Sequence, residues 1–185
     1  NCFCHLLYYD GFPIALGILQ NARNQRTHIR RTIRKSIKKI KLMTKKIICF
    51  GEVLFDVFPT HRKIGGAPLN VALRMASLGI NAQIISRVGN DEIGKELIRF
   101  IEENGVATDT IQVDENLSTG EVIVQLNDKG SASYTINYPV AWDKIEVTSI
   151  AENAVANADA MVFGSLVCRD LVSHQTLLSL MNLAK

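Results

Sequence analysis

Along residues 47–185 the spacing of hydrophobic and polar positions changes several times, and each change marks an element. Ile47–Phe55 is almost continuously apolar, the pattern of a central strand covered on both faces. Asp56 stands at its C-terminal end, the end at which open α/β sheets bind ligands. A turn around 60–64 leads into Gly65-Gly66, after which Leu69, Ala72, Leu73, Ala76 and Leu78 form an apolar stripe at helical spacing. Pro68 suits the first turn of that helix and Gly79 its C′ position. Ala82–Val88 reads as the next strand, and Asn90 or Asp91 can cap a helix over 92–104 that stops at Gly105. Thr110–Val113 is a short strand. Thr119–Asn127 and Ala132–Tyr138 alternate polar and apolar residues around Asp128-Lys129-Gly130, which predicts a hairpin. A helix over 148–157, a strand over 158–163 and a last helix over 171–184 follow. Strand–helix alternation on this scale predicts a mostly parallel, doubly wound α/β sheet.

Charge divides the chain in two. Residues 23–46 hold 11 Lys/Arg and no acid, whereas residues 47–185 hold 10 Lys/Arg and 17 Asp/Glu, a net of −7. The overall +3 is therefore an average of unlike parts, and the acidic body offers no nucleic-acid surface. Residues 1–42 read as a non-native or disordered basic leader, with Met43 as a natural start for a domain over 43–185. The apolar stretch 2–19 is broken by Asp10, Gly11 and Pro13, so it makes a poor membrane span, and its charges lie on the wrong side for a secretory signal. A nucleic-acid or membrane-surface role for residues 23–46 is the competing reading. Cys2, Cys4, Cys49 and Cys168 form no even framework, which points to reduced thiols and a cytoplasmic protein. Cys2-x-Cys4-His5 lacks a second ligand pair, so no metal site is expected there.

Two glycine-rich helix openings carry the candidate chemistry. Gly65-Gly66 before a helix exposes N–H groups that suit phosphate, carboxylate or sugar oxygens, with Asn70 one turn in. Asp56 can accept two hydroxyl protons, and Asn70 can both donate and accept. The expectation is that this carboxylate and this amide face one cavity. Gly89–Glu96 is a near miss to the phosphate-binding P-loop: its eighth position is Glu96 in place of Ser or Thr, and Asp91 and Glu92 would repel phosphates. It reads as a capped turn. Trp142 reads as a packing residue.

Gly65-Gly66-Ala67-Pro68-x-Asn70-Val71-Ala72, followed by Val88-Gly89-x-Asp91-x-x-Gly94, resembles the first signature of the PfkB (ribokinase-like) sugar kinases. Gly51-Glu52-Val53-Leu54-Phe55-Asp56 and Ala141-Trp142-Asp143 are similar to the fructokinase branch. The resemblance covers about residues 45–185, roughly the first half of a family member. It implies a ribokinase-like fold with a small β-sheet lid (strands near 53–64 and 117–139), truncated on its C-terminal side. It implies sugar binding by Asp56, Gly66 and Asn70, with Gly65 shaping the loop. Arg169 is either a further sugar contact or a solvated surface residue. ATP and Mg²⁺ are implied for the full-length enzyme. The Asp-x-x-Gly-Ala-Gly-Asp motif that supplies the base and anion hole does not occur in these 185 residues, so this chain is expected to hold no catalytic or ATP-binding residue. The alternative is a sugar-binding or regulatory half-domain without chemistry. An exposed lid edge would invite a homodimer through the lid.

Overall fold

The computed structural model describes residues 27–37, 45–126 and 132–184. The chain divides into two units, Asn1–Leu42 and Met43–Lys185. Of the first, residues 27–37 are described: they form a helix, α1, exposed along its length. The Cys2–His5 cluster, Met43 and the Asp128-Lys129-Gly130 turn lie outside the described residues.

The second unit is built on two four-stranded sheets. In the first, β1 (Lys46–Phe50) pairs in parallel with β4 (Asn81–Gly89) on one side and β8 (Ala160–Phe163) on the other, and β5 (Ile111–Asp114) pairs in parallel with β4. The order is β5-β4-β1-β8. Alternation along β1 sends Ile48 and Phe50 to one face and Cys49 to the other. The Cys49 face is covered by α2 (Ala67–Ser77) and α3 (Glu92–Glu103) through Leu69, Ala72, Leu97 and Ile101. The opposite face is covered by α4 (Ser149–Ala156) and α5 (Leu171–Leu183) through Ala151, Val155, Leu177 and Leu180. Each leucine, isoleucine and valine among them stabilises the fold by about 1.5–3 kcal/mol on burial. The sheet is thus parallel and doubly wound.

The second sheet has the order β3-β2-β6-β7, from β2 (Leu54–Val57), β3 (Arg62–Gly65), β6 (Gly120–Leu126) and β7 (Ala132–Ile136). Its β2–β3 and β6–β7 pairs are antiparallel, and β2 runs parallel to β6. Here the structure departs from the sequence expectation. The apolar run Ile47–Phe55 is not one central strand: Gly51, at φ +139°, interrupts it, and the chain leaves the first sheet at Phe50 to enter the second at Leu54. Asp56 accordingly belongs to the second sheet and does not stand at the tip of β1.

The glycines read as helix ends stand where the helices stop, and the structure adds two caps. Gly79 and Gly105, both at φ +77°, follow the ends of α2 and α3. Thr148 caps α4 by accepting from Ala151 N–H, and Asp170 caps α5 by accepting from Val172 N–H. Trp142 is fully buried among the residues under α4 and α5, a packing role.

Candidate functional site

Strands β4 and β8 flank β1, and the chain winds outward from β1 in one direction through β4 and β5 and in the other through β8. The crevice at the C-terminal ends of β1 and β8 is the topological switch point, where open α/β sheets take ligands. Three elements meet there: the Gly51-Glu52-Val53 link after β1, the start of α2, and Gly164 after β8.

Gly66 is the N-cap of α2. Its φ of +111° is a backbone state that side chains rarely adopt, and a Cβ on it would fall on the carbonyl oxygen of Glu52. Gly66 has no side chain with which to cap the helix, and Glu52 does so from outside: its Oε1 accepts from Ala67 N–H at 3.1 Å. Glu52 is only 3% exposed, and its Oε2 accepts no hydrogen bond among the described residues. Burial pushes the Glu52 carboxyl above its usual range, more than its own and Ala67's N–H groups and the Arg169 charge pull it down. This residue was missed in the sequence. The signal was there: a lone acid inside an apolar run needs a buried partner.

Asp56 lies on the neighbouring strand. Its carboxylate sits against Gly65, where a Cβ would meet Oδ2 at 2.5 Å. Partial burial raises its pKa, and Lys63, its partner across the β2–β3 pair, opposes that shift. Asn70 N–H bonds the Gly66 carbonyl at 2.9 Å in the first turn of α2. The exposed Asn70 side chain lines a cavity of about 400 Å³ together with Phe55, Arg62, Lys63, Ile64, Leu73, Glu96 and Phe100. Asp56 does not line that cavity. Phe55 faces it, and strand alternation directs Asp56 to the other face of β2 with Leu54. The structure therefore joins Asp56 to Gly65 and Asn70 to Gly66, but it does not gather the carboxylate and the amide around that one cavity.

Arg169 is neither solvated nor free. Its Nε and Nη2 fork onto the fully buried Asp143 at 2.7 and 2.8 Å, and Nη2 also donates to the Asn137 carbonyl at 2.6 Å. The guanidinium lies 4.0 Å over the Trp142 ring and 5.2 Å over Tyr138. Through Glu52 its charge reaches the start of α2.

The second glycine opening is a capped turn. Asp91 Oδ1 accepts from Gly94 N–H at 2.7 Å and from the Thr119 hydroxyl at 2.6 Å, and Oδ2 accepts from Thr119 N–H at 2.8 Å. The carboxylate thus fills the position a phosphate would need and ties α3 to the entry of β6. Among the described residues no group of three or more His, Cys, Asp or Glu side chains is placed to hold a metal ion, and no helix is long and apolar enough to cross a membrane.

Residues 36–185 match the model of the pfkB family of carbohydrate kinases. The chain belongs to that family. It is 31% identical over 150 residues to an uncharacterized sugar kinase of Pyrococcus horikoshii, covering 75% of this chain and 48% of that protein. The ATP complex of the same kinase superposes with a TM-score of 0.66. The Escherichia coli fructokinase is 37% identical over 98 residues, which are 50% of this chain and 32% of that enzyme. The ATP-bound fructokinase of Xylella fastidiosa shares the fold at a TM-score of 0.68 and 28% identity, over 76% of this chain and 48% of that one. The chain spans about half the length or less of the pfkB relatives it matches. Its two sheets, one parallel and doubly wound, are those of ribokinase-like sugar kinases.

Proposed function

We propose that this chain is the sugar-binding half of an ATP-dependent, fructokinase-like carbohydrate kinase, with Asp56, Gly65, Gly66, Asn70 and Arg169 as its sugar-site residues. The observation that carries this reading is the glycine-opened start of α2 at the switch point, with the Asp56 carboxylate against Gly65. Hydroxyl donors suit these acceptors, and the second sheet rises directly from the site as a lid that can exclude water. Asp56 and Asn70 lie on different faces of β2 and its surroundings, so a common grip on one ligand requires the second sheet to shift relative to α2. Arg169 enters by holding the wall of the crevice through Asp143.

The described residues do not fit the phosphate end of ATP or its Mg²⁺. The start of α2 is occupied by the Glu52 carboxylate and the start of α3 by Asp91, and both would repel phosphate. Nucleotide binding and the base that activates the sugar hydroxyl are assigned to the intact kinase, which acts in the cytoplasm on a small sugar and pairs through its lid.

A thermal-shift panel of fructose, ribose and related sugars on the 185-residue chain, with an ADP-release assay alongside, tests the reading. A melting point raised by a ketose or pentose, with no ADP formed, is the expected result. No shift with any sugar would refute the sugar site, and ADP release above a no-protein control would refute the assignment of catalysis to residues outside this chain.

A further inference from the structure

The crevice between β1 and β8 contains a buried carboxylate oxygen that accepts no hydrogen bond among the described residues. Glu52 is only 3% exposed, yet among the described residues only one of its two carboxylate oxygens accepts a hydrogen bond. Oε1 fixes Ala67 N–H, which locks the side chain in place. Both oxygens border Gly164, where a Cβ would come within 3.0 Å of Oε2 and 3.3 Å of Oε1. A buried carboxylate oxygen without a donor is costly, and such atoms call for a partner. The charged side chain that bears on it is Arg169, whose Nε and Nη2 bond Asp143 and the Asn137 carbonyl and which gives Oε2 no hydrogen bond. The elements packed against it from the other side, α2 and the Gly51–Val53 link, bring Pro68 and backbone.

We propose that Glu52 is a further carbohydrate-binding residue, its Oε2 accepting one hydroxyl of the sugar at the β1/β8 crevice while its Oε1 holds the α2 opening. This rests on the sugar-site reading above and adds to it a residue and a chemical role. Glu52 is then a specificity element: it recognises a hydroxyl donor and disfavours a phosphate or carboxylate in the same place. Gly164 borders Oε2 without a side chain. Its φ of −91° accommodates alanine, so Gly164→Ala adds a methyl beside Oε2 without demanding a rare backbone.

The test measures binding of fructose and its monodeoxy analogues to the 185-residue chain by calorimetry, for the native protein, Glu52→Gln and Gly164→Ala. The native chain should bind one monodeoxy analogue at least tenfold more weakly than the parent sugar. Glu52→Gln should weaken the parent about tenfold and erase the discrimination against that analogue alone, and Gly164→Ala should weaken the parent without unfolding the chain. If Glu52→Gln binds all analogues as the native chain does, the proposal is overturned. If it loses affinity equally across the series, Glu52 only holds the loop, and the proposal is again overturned. Should Glu52→Gln fail to fold, native-like affinity in Gly164→Ala would overturn it. Absence of any sugar binding by the native chain would instead defeat the underlying sugar-site reading.

Discussion

Replacing Arg169 by methionine tests the construction of the crevice wall most directly. Asp143 has no solvent exposure, and its carboxylate is held by two guanidinium bonds and by Val140 N–H at 2.9 Å. Removing the arginine leaves a charge in the core with one neutral donor. Truncating one member of a buried ion pair typically costs about 3–5 kcal/mol, because the remaining charge has lost both water and partner. The arginine also covers the Trp142 ring, a cation–π contact worth roughly 0.5–2 kcal/mol. Methionine retains part of that cover, so the ion-pair loss dominates, and about 3–5 kcal/mol is a large share of the 5–15 kcal/mol that usually holds a domain together.

Trp142 makes the assay convenient. It is the chain's single tryptophan and lies under the substituted side chain, so its fluorescence during urea unfolding reports on this region. The midpoint should fall strongly for Arg169→Met, with an intermediate fall for Arg169→Lys, which keeps the charge but cannot form the fork. The double variant Arg169→Met with Asp143→Asn should recover most of the loss, since no charge then remains buried. A loss under about 1 kcal/mol for the single variant, or a double variant no better than the single, would refute the view that this pair is a coupled buried unit.

Gly66→Ala should lower the melting temperature by several degrees: a positive φ costs a side-chain residue roughly 1–2 kcal/mol, and the methyl has Glu52 backbone in its way. At Asp91, burial raises the carboxyl's pKa, but the Thr119 hydroxyl and the Thr119 and Gly94 N–H groups outweigh it and hold the group below its ordinary value. Its contribution is therefore complete above the unfolded carboxylate's pKa of about 4 and disappears as the pH falls through the lower folded value, so Asp91→Asn should flatten the stability-versus-pH curve on the acid side, as followed by urea melts between pH 5 and 2. Burial pushes the Cys49 thiol to about 11, so iodoacetamide at pH 8 should modify the half-buried Cys168 in the native chain and reach Cys49 only on unfolding, as read by mass spectrometry of peptides.

What could be read from the chain and what could not separate along one physical line. Helices α2 to α5 and the glycines after α2 and α3 are local events, each set by a few neighbouring residues, and their positions in the structure follow the sequence pattern to within a residue or two. The family signature around Gly65-Gly66 was legible for the same reason, since a backbone that must pass close to Glu52 and Asp56 leaves its mark as missing side chains. Burial periodicity, by contrast, says that a residue is covered and not by what. Ile47–Phe55 is apolar because its side chains enter three cores, Ile48 and Phe50 under α4 and α5, Cys49, Val53 and Phe55 under α2, and Leu54 within the second sheet, and an uninterrupted hydrophobic run is the same pattern whether it serves one strand or two. Gly51 was the clue to the break, and the misplacement of Asp56 followed from overlooking it. Arg169 and Asp143 are 26 positions apart, and nothing in either neighbourhood reveals that the arginine forks onto that carboxylate. The residue that organises the crevice, Glu52, is found by asking a different question of the same sequence: which charged side chain sits where water cannot reach, and what satisfies it.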